Sequence, residues 1–185
     1  MLEKALDRAD EVLSKGREQV YALRTEALHV DDLAKAIMAY ADDRAPEREI
    51  EVVFTEQGTK RLVNPLVRDE TFSIAREALA NAFQHSRGTR VEVVLDYSRV
   101  ALVLTIKDNG MGIPEDFLIN GRHGHWGLAG MRERAGRIGG DLKIACNAAG
   151  GTQVILRLRA SKAYPRRFTL SPSTLFRAKS EDYCA

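Results

Sequence analysis

The chain has 185 residues, of which 44% are hydrophobic and 6% aromatic, and a net charge of +2. That length holds one domain of ordinary size with an aliphatic core plus appendages, and so small a charge, without a basic stripe interleaved with aromatics, speaks against a nucleic-acid partner. Two cysteines, Cys146 inside an expected strand and Cys184 beside the terminus, read as a buried structural thiol and a free tail thiol; with no signal peptide or run of ~18 apolar residues, a soluble piece without membrane contact is expected.

In chain order, residues 2–28 come first. Leu2, Ala5, Leu6, Ala9, Val12, Leu13, Gly16, Val20, Leu23 and Ala27 form one apolar stripe, an amphipathic helix that needs a partner or packs on its own domain. A second helix is expected over Asp31–Asp42, with Leu33, Ile37 and Tyr40 near one face and Pro46 closing the segment. Ile50–Phe54 reads as the first strand and Gly58 as a turn. Asn64-Pro65 then opens a long helix, proline being tolerated in a first turn. Val91–Tyr97 and Val100–Lys107 read as a hairpin around Ser98-Arg99, rich in β-branched residues. Leu128, Met131, Ala135 and Ile138 recur at helical spacing until Gly139-Gly140 stop that helix. Strands Leu142–Cys146 and Thr152–Leu158 complete the pattern, and residues 161–185, with two prolines and an Arg166-Arg167 pair, read as a disordered tail.

Three stretches carry chemistry. On the long helix, at ~100° per residue, Ala75, Ala78, Leu79 and Ala82 fall on one side with Phe72 and Phe83 beside them. Glu77, Asn81 and Gln84 fall opposite, with His85 at their flank. An amide oxygen suits Mg²⁺, a hard ion that keeps several waters, and a carboxylate one turn earlier can hold a water or accept a proton. A solvated helix face has the same pattern. The second stretch is Asp108-Asn109-Gly110-Met111-Gly112-Ile113 at a strand end. An ionised carboxylate there is acceptor-only and suits the exocyclic amino group of adenine, where guanine offers an oxygen; Asp-Asn-Gly is also ordinary turn chemistry. The third is Gly127-Leu128-Ala129-Gly130-Met131 behind the polar, lid-like run Gly121–Trp126. A helix start behind such a loop offers N–H groups to phosphates. No Walker loop occurs in the chain.

Together and in this order the stretches closely resemble the N, G1 and G2 boxes of the ATP-binding domain of bacterial two-component sensor histidine kinases. These belong to the superfamily of gyrase, Hsp90, histidine kinase and MutL ATPases. Gly151-Thr152 is similar to the closing Gly-Thr element, and the wording Gly-His-Trp-Gly-Leu-x-Gly-Met-Arg-Glu-Arg-Ala resembles the NarX/DesK-like branch. The resemblance covers roughly residues 30–160. It implies an α/β fold, a two-layer sandwich of the Bergerat type with helices on one face of a mixed sheet, here preceded by the amphipathic helix.

The same resemblance implies roles. Asn81 would ligate Mg²⁺, Glu77 would assist phosphoryl transfer, and His85 would stand where relatives place a basic side chain near the phosphates. Asp108 would read adenine with support from Thr152. Gly110 and Gly112 would shape the base pocket and Gly127 and Gly130 the hinge of the lid, with Ile113, Leu128 and Met131 as further nucleotide-binding residues. The cofactors would be ATP and Mg²⁺. Residues 1–28 resemble the second helix of the family's dimerisation hairpin and offer a homodimer contact; 29–160 would be the ATPase domain and 161–185 the tail. None of the four histidines, His29, His85, His123 and His125, lies in an acceptor-histidine motif, and His123-x-His125 lacks the further ligands a metal site needs. The chain is therefore expected to be a cytoplasmic fragment of a kinase, unable to phosphorylate itself alone. Its partners would be the parent's dimerisation and phosphoacceptor domain and a response regulator. An anti-sigma-factor serine kinase and a non-catalytic ATP-binding adaptor share this pocket; the helix over 2–28 argues against the first, and the intact Asn81, Asp108 and glycines against lost binding in the second.

Overall fold

The computed structural model describes residues 32–45, 49–113, 126–146 and 150–165. The expected helix over 2–28, His29, the run 114–125, Arg166-Arg167 and Cys184 lie outside the described residues. Helix α1 (Leu33–Arg44) starts two residues later than expected because Asp32 caps it. The Asp32 carboxylate accepts from Lys35 N at 3.3 Å and also bonds Lys60 Nζ. Leu33, Ile37 and Tyr40 are all buried. Strand β1 (Glu51–Gly58) outlasts the apolar run Ile50–Phe54. Its last four residues are exposed, and pairing with the next strand, not burial, extends it. Gly58 ends β1 at φ +77°, where a Cβ would stand 2.2 Å from Tyr97 O.

Helix α2 (Pro65–His85) begins with Asn64 accepting from Leu66 N at 3.2 Å. It crosses from β1 to the parallel strand β2 (Arg90–Tyr97), as a parallel pair requires. A hairpin leads to β3 (Ala101–Asp108), tied by Ser98 Oγ, which accepts from Ala101 N at 3.0 Å. Helix α3 (Trp126–Arg137), β4 (Asp141–Cys146) and β5 (Thr152–Arg159) follow. The mixed five-stranded sheet runs β1-β2-β3-β5-β4, antiparallel except for β1–β2.

Side-chain alternation decides which face is covered. Val93, Ile106 and Val154 share one row across β2, β3 and β5; Leu95, Leu104 and Leu156 share the next. All six are buried beneath the helices, whereas Glu92 and Arg157, on the opposite face, are exposed. Leu102, Leu104, Ile106 and Asp108 all point to the covered face. The strand's own period thus carries a carboxylate to the edge of the core.

Two expectations are corrected. The fold does not end at residue 160. Helix α4 (Ala160–Ala163) returns over the sheet, its Ala163 O accepts from Asn64 N at 2.8 Å, and Ala163 and Tyr164 are buried. Tyr164 Oη donates to Ala101 O at 3.2 Å, and Arg61 lies 4.1 Å above its ring. An alanine and a tyrosine capping the core make these residues part of the domain, not of a tail. Cys146 is exposed, because it ends the edge strand β4; its Sγ donates to Ile113 O at 3.1 Å.

Candidate functional site

Helix α2, the end of β3, the start of β5 and helix α3 enclose a cavity of about 290 Å³. Of the residues singled out in the sequence, Asn81, His85, Asp108, Gly112, Ile113, Leu128, Met131 and Thr152 line it. Ala78, Ala82, Ser86, Ile106, Met111 and Val154 complete the wall, so it is mostly apolar. Glu77, Gly110, Gly127 and Gly130 are not in the wall. A second depression of about 520 Å³ lies between the end of α1 and β1, lined by Asp42, Ala45 and Glu49 to Val52. It is shallow and includes no residue of the three motifs.

Asp108 is 6% exposed, and its Oδ1 accepts from Gly110 N at 2.9 Å. Among the described residues no other protein hydrogen bond to its carboxylate is found. Backbone packs against it on two sides. Gly151, at φ +85°, leaves no room for a Cβ, which would stand 2.0 Å from Asp108 O and 2.8 Å from Oδ1. Gly110 is equally constrained, since a Cβ there would stand 2.0 Å from Ser86 O. Ser86 O also accepts from Met111 N at 2.8 Å, pinning the turn to the end of α2. Asn109 completes the brace: its Oδ1 accepts from Thr89 N at 2.9 Å and Arg90 N at 3.0 Å.

Asn81 and His85 sit one turn apart on α2. Asn81 is half-buried and His85 exposed at the cavity's rim. Glu77, one turn before Asn81, faces α3 instead, with its carboxylate against Gly127. Both Gly127 and Gly130 lie inside helix α3, not in a loop before it. Farther along the same two helices Glu70, 8% exposed, accepts from Arg137 Nη1 at 2.6 Å, with Arg134 Nε 4.0 Å away. That pair was not anticipated from the sequence, nor were Ser86, Asn109 and Gly151 as braces. For Glu70 the available signal was its place two turns before Glu77 on the same face of α2; for Gly151, a Gly-Gly pair just before a strand.

An acceptor-only group at the edge of an apolar slot suits a flat ligand that offers an amino donor. The donor set also fits Mg²⁺. Among the described residues no group of three or more His, Cys, Asp or Glu side chains could cage a metal. Asn81 supplies one amide oxygen, which suits an ion that takes its other ligands from water and phosphate.

The family described as histidine kinase-, DNA gyrase B- and HSP90-like ATPase matches residues 67–162, more than half of the chain. The chain belongs to this family. The nitrate/nitrite sensor protein NarX of Escherichia coli (strain K12) is 32% identical over 132 residues, 71% of this chain and 22% of that protein. The sensor histidine kinase LiaS of Bacillus subtilis (strain 168) is 29% identical over 150 residues, 81% of this chain and 40% of that protein. The chain thus spans well under half the length of these curated relatives. Among solved structures, the ATP-binding domain of PrrB from Mycobacterium tuberculosis aligns with a TM-score of 0.56 at 26% identity, covering 69% of this chain and 93% of that one. The expected α/β fold with a mixed sheet is the one observed. No helix among the described residues is long and apolar enough to cross a membrane.

Proposed function

We propose that this chain is the catalytic ATP-binding part of a sensor histidine kinase. In this reading it binds Mg²⁺·ATP and passes the γ-phosphoryl group to a histidine on a dimerisation domain, for relay to a response regulator. The observation that carries the proposal is Asp108, an acceptor held at the edge of an apolar cavity that Asn81 and His85 also line. Asp108 would accept from the adenine amino group, with Thr152 beside it. Gly110, Gly112 and Ile113 would shape the base slot, and Leu128 and Met131 its other wall. Gly127 and Gly130 would serve the helix that meets the phosphates, and His85 would approach them from α2.

Transfer breaks the bond between the γ-phosphorus and the bridging oxygen and forms one to an imidazole nitrogen, with ADP leaving. Such chemistry asks chiefly for positioning and charge neutralisation. Mg²⁺, held through Asn81, would supply the neutralisation. Glu77, one turn away, would order the groups about the reacting phosphate. A cytoplasmic setting and a homodimer formed through residues 2–28 belong to the same proposal; the piece alone would not phosphorylate itself.

Calorimetric titration of the chain with Mg²⁺·ATP tests this. Saturable binding is expected, absent with GTP and weakened roughly 30-fold in Asp108→Ala. An acceptor hairpin added in trans should then gain phosphate. No binding by the wild-type chain would refute the reading, and binding without transfer to any acceptor would favour an ATP-binding adaptor.

A further inference from the structure

The three glycines of α3 have unlike surroundings. A Cβ at Gly136 would meet open space, and one at Gly130 would meet only Arg134 Nη1, at 2.8 Å. A Cβ at Gly127 would stand 1.9 Å from Glu77 Oε1 and 2.9 Å from its Cδ. The Glu77 carboxylate therefore fills the space that a side chain at position 127 would take. Dihedral freedom does not explain this glycine, because it is helical and is not among those with positive φ. Glycine is a poor helix former beside alanine, so what remains is the missing side chain itself.

We infer that Gly127 is a positioning residue for Glu77: its bare Cα seats the carboxylate against the first turn of α3. The acid on α2 thereby meets the helix that walls the cavity through Leu128 and Met131. Glycine here is a seat and not a hinge. Because the obstructing atoms are the far end of a flexible side chain, Gly127→Ala would push the carboxylate aside at little cost to the fold. The expected damage is to the placement of Glu77. The consequence for phosphoryl transfer rests on the function proposed above; the seat itself does not.

The test is a double-mutant cycle on the full chain with Gly127→Ala, Glu77→Ala and both together. Thermal melting without nucleotide reads the seat. In the Glu77→Ala background, Gly127→Ala should raise the melting temperature by about 2 °C, the ordinary gain from replacing a helical glycine. In the wild-type background the displaced carboxylate should cancel that gain. Equal shifts in both backgrounds would overturn the inference. Phosphoryl transfer to an acceptor hairpin in trans reads the consequence. Gly127→Ala should slow transfer, and should add nothing in the Glu77→Ala background. A multiplicative loss in both backgrounds would reinstate the hinge and overturn the positioning role. A wild-type chain that transfers nothing yet keeps the coupling in melting would support the seat and refute the kinase reading.

Discussion

At the Asp108 end of the cavity the bracing is backbone against backbone: Gly151 lies on Asp108, Gly110 on Ser86, and Met111 N is tied to Ser86 O. Outside the cavity wall, where α2 meets α3, it is side chain against helix, through Glu77 at Gly127 and Glu70 at Arg137. Backbone contacts without intervening side chains have little slack, which would suit the proposed reading of a rigid base by Asp108. Side-chain contacts can be broken and remade over a rotamer or two, so that region has more slack. The domain thus combines a fixed edge at the cavity and an adjustable one beside it.

The largest effect that would break this contrast is at the fixed edge. Gly151→Ala would force a Cβ into the Asp108 backbone at a positive φ and should cost roughly 3 kcal/mol of stability, read by urea denaturation. A near-neutral result would show that this edge can yield after all. Next, Asp108→Ala removes the acceptor and should weaken Mg²⁺·ATP binding by about 2 kcal/mol, roughly 30-fold, measured by calorimetry with the fold checked by melting.

The adjustable edge makes an asymmetric prediction of intermediate size. Arg137→Ala leaves the carboxylate of Glu70, which is 8% exposed, with the more distant Arg134 at 4.0 Å, whereas Glu70→Leu releases an arginine that can reach water. The first should lower the melting temperature clearly and the second little or not at all, since apolar replacement of a buried ion is often neutral or stabilising. Equal losses would mean that the pair braces α3 as rigidly as the glycines brace Asp108.

The smallest effect lies away from the cavity and calibrates the others. Burial pushes the Asp32 carboxyl up, but hydrogen bonds from Lys60 and Lys35 N outweigh it and hold it below the usual carboxylate value. A carboxylate with a lowered folded value stabilises the fold above its unfolded value of about 3.9 and loses that contribution as pH falls through the folded one. Asp32→Ala should cost about 1 kcal/mol at neutral pH. Melting followed from pH 7 to pH 2 should show the mutant and wild type converging at the acid end.

Periodicity made much of this legible in advance. The long helix opens at Asn64-Pro65, the hairpin lies around Ser98-Arg99, and the last two strands stand within a residue of where their patterns put them. Eight of the twelve anticipated site residues line one cavity, and Glu77 and Gly127 meet beside it. The misses share a cause. The outer half of β1 is exposed and held by pairing with β2, Cys146 is exposed because β4 lies at an edge, and Tyr164 is buried because α4 folds back. Strand order and chain return are not encoded in a local period.

The sequence by itself determined which residues share a helix face or a strand face. Asn81 and His85 are one turn apart on any α-helix, and Asp108 follows Leu104 and Ile106 on one side of any strand. Only the tertiary structure decided who meets whom across elements: Gly110 with Ser86, Gly151 with Asp108, Glu77 with Gly127, and Glu70 with Arg137 at a separation of 67 residues. Local spacing is fixed by backbone geometry, whereas partners so far apart are chosen only when the whole core closes and one packing excludes the rest.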